Sequence, residues 1–134
     1  MHSYTAFDFS GAGSIWPPFS QRLWAQYLTD DYLDITGDAW RVTSAADDDA
    51  DRSTESPDIF FKDGNYYVTA TNTCAFCNGT LSLIYRSPSI EGPWKRQLLS
   101  PDGCGGQLGS YLPIKSSKGV MTYLGFGDQW CAHR

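Results

Sequence analysis

The strongest constraint on this chain is its punctuation. Short runs rich in Tyr, Val, Ile, Phe and Thr recur along it, each closed off by Gly, Asp, Asn, Ser or Pro. Such runs suit a pleated, half-buried surface and are too short for stable helices, so the pattern predicts an all-β fold. The expected strands are Ser3–Phe9, Leu23–Leu28, Asp58–Lys62, Tyr66–Thr71, Leu81–Arg86, Lys95–Leu99, Leu112–Lys115 and Val120–Gly125. "PFSQRLWAQYL" comes nearest to a helical turn, yet its alternation of Leu23, Ala25 and Tyr27 is that of a strand. "TSAADDDADRST", residues 43–54, is read as a solvated acidic connection rather than a calcium loop.

A faint repeat runs through these strands. "HSYTAFDFS", "NYYVTATNTC" and "VMTYLGFGDQWC" each read as the second strand of a meander, at a spacing of roughly 55 to 63 residues that suits propeller blades with long loops. In an up-and-down blade the innermost strand starts at one end of the disc. The loop joining strands two and three, and the connection into the next blade, return to that same end. Glu55 stands at the start of an innermost strand, in "TESPD". "TNTCAFCNG" is then the two-to-three loop, and "SPDGCGGQLGS" the connection onward. Glu55, Thr73, Gln107 and Trp130 are therefore expected to gather at one end, near the propeller axis.

Composition narrows the class. The chain of 134 residues carries a formal charge of −5, which argues against nucleic acid as a partner, since phosphate binding needs a basic surface. No apolar run reaches the roughly 20 residues that a membrane helix requires. "MHSYTAFDFS" has neither the basic start nor the apolar stretch of a signal peptide; it reads as a strand already under way, which points to a true N-terminus further upstream. Aromatic residues make up 15% of the chain, which suits the stacking of flat rings on sugars. Trp94, after a Gly-Pro turn, is expected to pack between blades. The cysteines Cys74, Cys77, Cys104 and Cys131, with the sequon Asn78-Gly79-Thr80, point to an oxidising, secreted setting. A lone CxxC does not make a zinc site, and no metal or other cofactor is expected. At least one disulfide is expected between loops of the same end, with Cys104 to Cys74 or Cys77 first in order and Cys74 to Cys77 second.

With these residues in view, the chain resembles glycoside hydrolase family 43, five-bladed β-propeller enzymes with four-stranded antiparallel blades, and within it the exo-β-1,3-galactanase branch. "TESPDIFFKDGNYYVTAT" resembles the family's E-A/G/S-P-x-x-F-x-x-x-G-x-Y-Y segment. "LTDDYLDITG" and "YRSPSIEGPW" resemble blade-closing segments, and "GFGDQW" resembles the branch's M-G-D-R-W. The likeness covers about two blades: residues 1–42 as the end of one, 55–100 as a full blade and 108–134 as the start of the next.

The resemblance implies an inverting glycosidase acting on plant-type polysaccharide, galactan-like or arabinose-containing. Its partner would be a carbohydrate substrate, and the complete protein a monomer. Glu55 matches the general acid. Gln107 matches a glutamine implicated in holding the attacking water; a neutral amide is a poor proton acceptor, so its role is positioning. Thr73 and Trp130 would touch the sugar, although "TCAFCNG" departs from the family's T-G-W turn. The family's base, an aspartate of the first blade, and the aspartate that tunes the acid have no match here, so the piece alone is expected to be inactive. The alternative reading is a non-catalytic carbohydrate-binding propeller or an inactive truncated fragment. The flanking residues Phe7, Phe9, Tyr123 and Phe126 are expected to lack packing neighbours.

Overall fold

The structure is a computed structural model that describes residues 2–8, 20–43, 54–72 and 79–129, with backbone alone for 2–8 and 20–21. Its strands form three antiparallel sheets in chain order. The first holds β1 (His2–Asp8), β2 (Ser20–Leu28) and β3 (Ile35–Arg41). The second is a four-stranded meander of β4 (Thr54–Lys62), β5 (Asn65–Asn72), β6 (Ser82–Ser87) and β7 (Lys95–Ser100). The third pairs β8 (Gln107–Lys115) with β9 (Met121–Asp128). The only helical piece among the described residues is a short 3-10 turn at Gly103–Gly105.

The β4–β5 hairpin shows local chemistry setting register. Asp63 and Gly64, its two loop residues, both have positive φ, 48° and 75°. That is the type I′ combination, whose twist matches the strands it joins, and a glycine meets it without strain. Phe60 and Tyr67 are then cross-strand partners, with their rings stacked at 5.1 Å.

Among the differences from the sequence reading, three bear on the site or its supporting sheets. β3 lies in a stretch with no predicted strand, because Gly37 and Asp38 interrupt its apolar pattern. It pairs with β2 across a β-bulge, and the Gln26 side-chain amide donates to the Gly37 carbonyl at 2.6 Å. β4 begins at Thr54 rather than Asp58, which puts Glu55 inside the strand. β8 begins at Gln107 rather than Leu112, so Gln107 is a strand residue and not part of the connection.

The two sides of the second sheet are built differently. Alternation sends Val68, Ala70, Leu83 and Tyr85 to one side, where they close on Leu23, Ala25 and Val42, all of them 3% exposed or less. Trp40, Ile59 and Trp94 pack against this cluster, so Trp94 lies between sheets. Burying a side chain of this size contributes about 1.5–3 kcal/mol. The opposite side carries Asp58, Phe60, Tyr67, Thr69 and Thr71 by the same alternation and the register of β4 and β5. There Phe60 meets Tyr123 at 4.7 Å and Tyr111 at 6.4 Å between ring centroids. Tyr123 therefore has a packing neighbour, contrary to expectation. Phe126 is 49% exposed; Phe7 and Phe9 lie outside the described side chains.

Candidate active site

Glu55 owes its position to a bulge. Glu55 pairs with Thr71 and Asp58 with Thr69, so Ser56 and Pro57 together oppose Ala70. Bulges of this kind re-aim side chains and recur beside active sites. Ser56 adopts φ 50°, a left-handed conformation that costs a serine about 1–2 kcal/mol and that only the surrounding structure can hold. The strain sits one residue from the carboxylate.

Gln107 reaches the same place through the connection between sheets. Asp102 Oδ1 accepts from the Cys104 N–H at 3.0 Å and from the Ser100 hydroxyl at 3.1 Å, which ties the connection into a compact turn. The Thr80 N–H donates to the Gly106 carbonyl at 3.1 Å and anchors the turn to the second sheet. Beyond it Gln107 pairs with Asp128 across β8 and β9. The strands approach so closely that a Cβ on Gly127 would stand 2.1 Å from the Gln107 carbonyl oxygen; only glycine fits.

The result is a small polar cluster spanning the second and third sheets. Gln107 Nε2 donates to Glu55 Oε1 at 2.5 Å and to Thr71 Oγ1 at 3.0 Å. Thr71 is 1% and Gln107 8% exposed, while Glu55 is half-buried. A second carboxylate, Asp58, accepts the Tyr111 backbone N–H at 2.7 Å and clips β8 to β4. Burial, then the negative charge of Asp58, then Cys104 hold the Tyr111 phenol above its ordinary pKa.

A cleft of about 220 Å³ opens beside this cluster, lined by Ser56, Gln107, Ser110, Phe126 and Asp128 among others. A larger groove of about 640 Å³ runs over the outer strands of the second sheet, past Tyr67, Ile84, Arg86 and Lys95. None of its lining residues is a carboxylate, whereas the smaller cleft has Asp128 in its lining and Gln107, the partner of Glu55, beside it.

Of the residues singled out from sequence, the structure brings Glu55 and Gln107 into direct contact. Thr73 and Trp130 lie outside the described residues, as do Cys74, Cys77, Cys131 and the aspartates of residues 44–53. Cys104 is exposed and forms no disulfide with a described residue. Among the described residues no group of His, Cys, Asp and Glu is placed to hold a metal ion. Thr71, Asp58 and Asp128 escaped the sequence reading. Thr71 gains its place opposite Glu55 only through the bulge, and Asp58 its contact only through the meeting of β4 with β8, whereas Asp128 was visible in "GFGDQW" as a carboxylate at a strand end.

Neither a protein-family model nor a curated protein sequence matches the chain. Two solved structures from Bacteroides thetaiotaomicron are similar to it. An endo-1,4-β-xylanase aligns with 96% of this chain and 49% of its own, at TM-score 0.59 and 18% identity. An endo-arabinase aligns with 78% of this chain and 40% of its own, at TM-score 0.55 and 18% identity. The chain thus spans half the length, or less, of the structures it matches. At this identity the likeness shows the fold: the chain is all-β and folds as part of a β-propeller, the architecture it shares with a xylanase and an arabinase.

Proposed function

We propose that this chain carries the acid-bearing part of the sugar pocket of an inverting glycoside hydrolase of the family 43 type. Its substrate would be a plant-type polysaccharide, galactan-like or arabinose-containing. The observation that carries this reading is the hydrogen bond from Gln107 to Glu55, which joins residues 52 apart in sequence beside a cleft. The likeness to enzymes named for xylan and arabinan supports the substrate class. The galactanase branch rests on "GFGDQW" and Gln107 alone.

In this reading Glu55 protonates the leaving oxygen, and water attacks from the opposite side of the sugar. Because the nitrogen end of Gln107 touches Glu55, only its carbonyl end is free to orient that water. The base that takes the water's proton is supplied from outside this chain. Thr73 and Trp130, which follow β5 and β9 in sequence, would contact the sugar. Residues 1–42, 55–100 and 108–134 correspond to the end of one blade, a full blade and the start of the next. Cysteines and sequon favour a secreted protein, monomeric when its ring is complete.

The test is Glu55→Gln in a preparation that holds the whole propeller. Turnover of an unactivated oligosaccharide is expected to fall by about 10²–10⁴ while oligosaccharide affinity stays within a few-fold. Near-normal hydrolysis by the variant would remove Glu55 from the acid role and leave the carbohydrate-binding reading.

A further inference from the structure

Glu55 and Thr71 face each other directly across β4 and β5, and the Gln107 amide nitrogen bonds to both. An amide nitrogen has two protons. Here one goes to Glu55 Oε1 and the other to Thr71 Oγ1. We infer that Thr71 is a positioning residue: by taking the second Gln107 amide proton it holds the amide against Glu55 Oε1, which leaves Oε2 to carry the acid's proton. This rests on reading Glu55 as the acid.

The reasoning turns on the two ways an amide can sit. With its nitrogen inward, Gln107 keeps Glu55 Oε1 as an acceptor, so a proton on the carboxyl occupies Oε2 and is free to pass to a leaving oxygen. With its carbonyl inward, the amide oxygen would stand against a carboxyl oxygen at contact distance. That arrangement is tolerable only if Glu55 places its own proton between them, and the proton would then be tied to Gln107 instead of the substrate. An ionised Glu55 admits only the first arrangement, and the Thr71 hydroxyl, which can donate as well as accept, closes it by accepting the second amide proton. Thr71 is 1% exposed, so water does not stand in for its hydroxyl. Thr71 itself touches no sugar in this scheme.

Nuclear magnetic resonance on the isotope-labelled 134-residue chain tests this without requiring turnover. In the unmutated chain one Gln107 side-chain amide proton should show a through-space contact to the Thr71 methyl group, and both should exchange with solvent about tenfold more slowly than those of an exposed glutamine. Thr71→Val, which keeps shape and removes the hydroxyl, should abolish that protection, and Thr71→Ser should restore it. Glu55→Gln should shift the resonance of the other amide proton. Absence of the methyl contact, or Gln107 protons unchanged by Thr71→Val, would overturn the inference. A persistent clamp together with normal hydrolysis by Glu55→Gln would instead sink the acid assignment and leave the hydrogen-bond geometry standing.

Discussion

The two sides of the second sheet come from the same four strands yet form seams of opposite character. Toward β1–β3 the seam is apolar and closed: Leu23, Ala25, Val42, Val68, Ala70, Leu83 and Tyr85 are all at or below 3% exposure. Toward β8 and β9 it is aromatic and polar, with the Asp58 clip to Tyr111, the Gln107–Glu55–Thr71 cluster and the rings of Phe60, Tyr67 and Tyr123. Thr69 Oγ1, Ser82 Oγ and Tyr111 Oη are buried there without a partner. Unpartnered buried polar atoms cost stability. The closed seam keeps Trp40 Nε1 and Trp94 Nε1 in the same condition, so what sets the second seam apart is the strained Ser56 beside its polar cluster. The first seam is closed by apolar packing, and the second joins its sheets through hydrogen bonds and aromatic contacts.

The largest effect on stability should come from the closed seam. Leu83→Ala should lower the stability of the chain by about 3 kcal/mol, because the lost side chain leaves a cavity in well-packed surroundings. Urea unfolding measures it. The exposed counterpart Leu112→Ala, at a residue 50% exposed, should change stability by less than about 0.5 kcal/mol. Comparable losses at both positions would mean that the seams do not differ as described.

Asp58→Ala should come next. It removes a charged acceptor from the Tyr111 N–H, worth about 2 kcal/mol, and should loosen β8 and β9 while leaving the first seam intact. Amide hydrogen exchange distinguishes the outcomes: faster exchange confined to β8 and β9 fits, whereas uniform acceleration would show that the seams unfold as one.

Tyr111 gives the smallest effect. Its phenol is held above the ordinary value of 10.0, chiefly by burial and then by Asp58. Above pH 10 the unfolded chain loses this proton while the folded chain keeps it, so stability should fall as pH rises through the folded-state pKa. Tyr111→Phe should remove that alkaline contribution. Near neutrality it should shift stability by less than about 1 kcal/mol, since the hydroxyl it deletes has no partner. An unchanged alkaline slope in the variant would assign the titration to another group.

How much of this was legible in advance depended on distance along the chain. The β4–β5 hairpin was readable because "DIFFKDGNYYVTA" holds both alternation and turn chemistry within one short stretch. Glu55 is legible as a carboxylate before Ser56-Pro57, and Gln107 through its place in "SPDGCGGQLGS" and the family resemblance. Their hydrogen bond was not readable, since it requires two sheets to meet. β3 was hidden by Gly37 and Asp38, whose place in a strand depends on pairing with β2. Thr71 looked like an ordinary strand threonine; only the extra residue of the bulge puts it opposite Glu55. Tyr123 was expected to lack neighbours as a flank residue of the last unit; nothing local announces that Phe60 of the preceding sheet is its partner.

Comparing Glu55→Gln with the unmutated enzyme, in the complete propeller, on two glycosides of the same sugar tests the acid assignment most directly. One glycoside has a sugar as leaving group, which must be protonated to depart; the other has a strongly acidic phenol, which need not be. The role assigned to Glu55 predicts a loss of about 10²–10⁴ on the first substrate and less than about tenfold on the second. Equal losses on both, or no loss on the first, would contradict it.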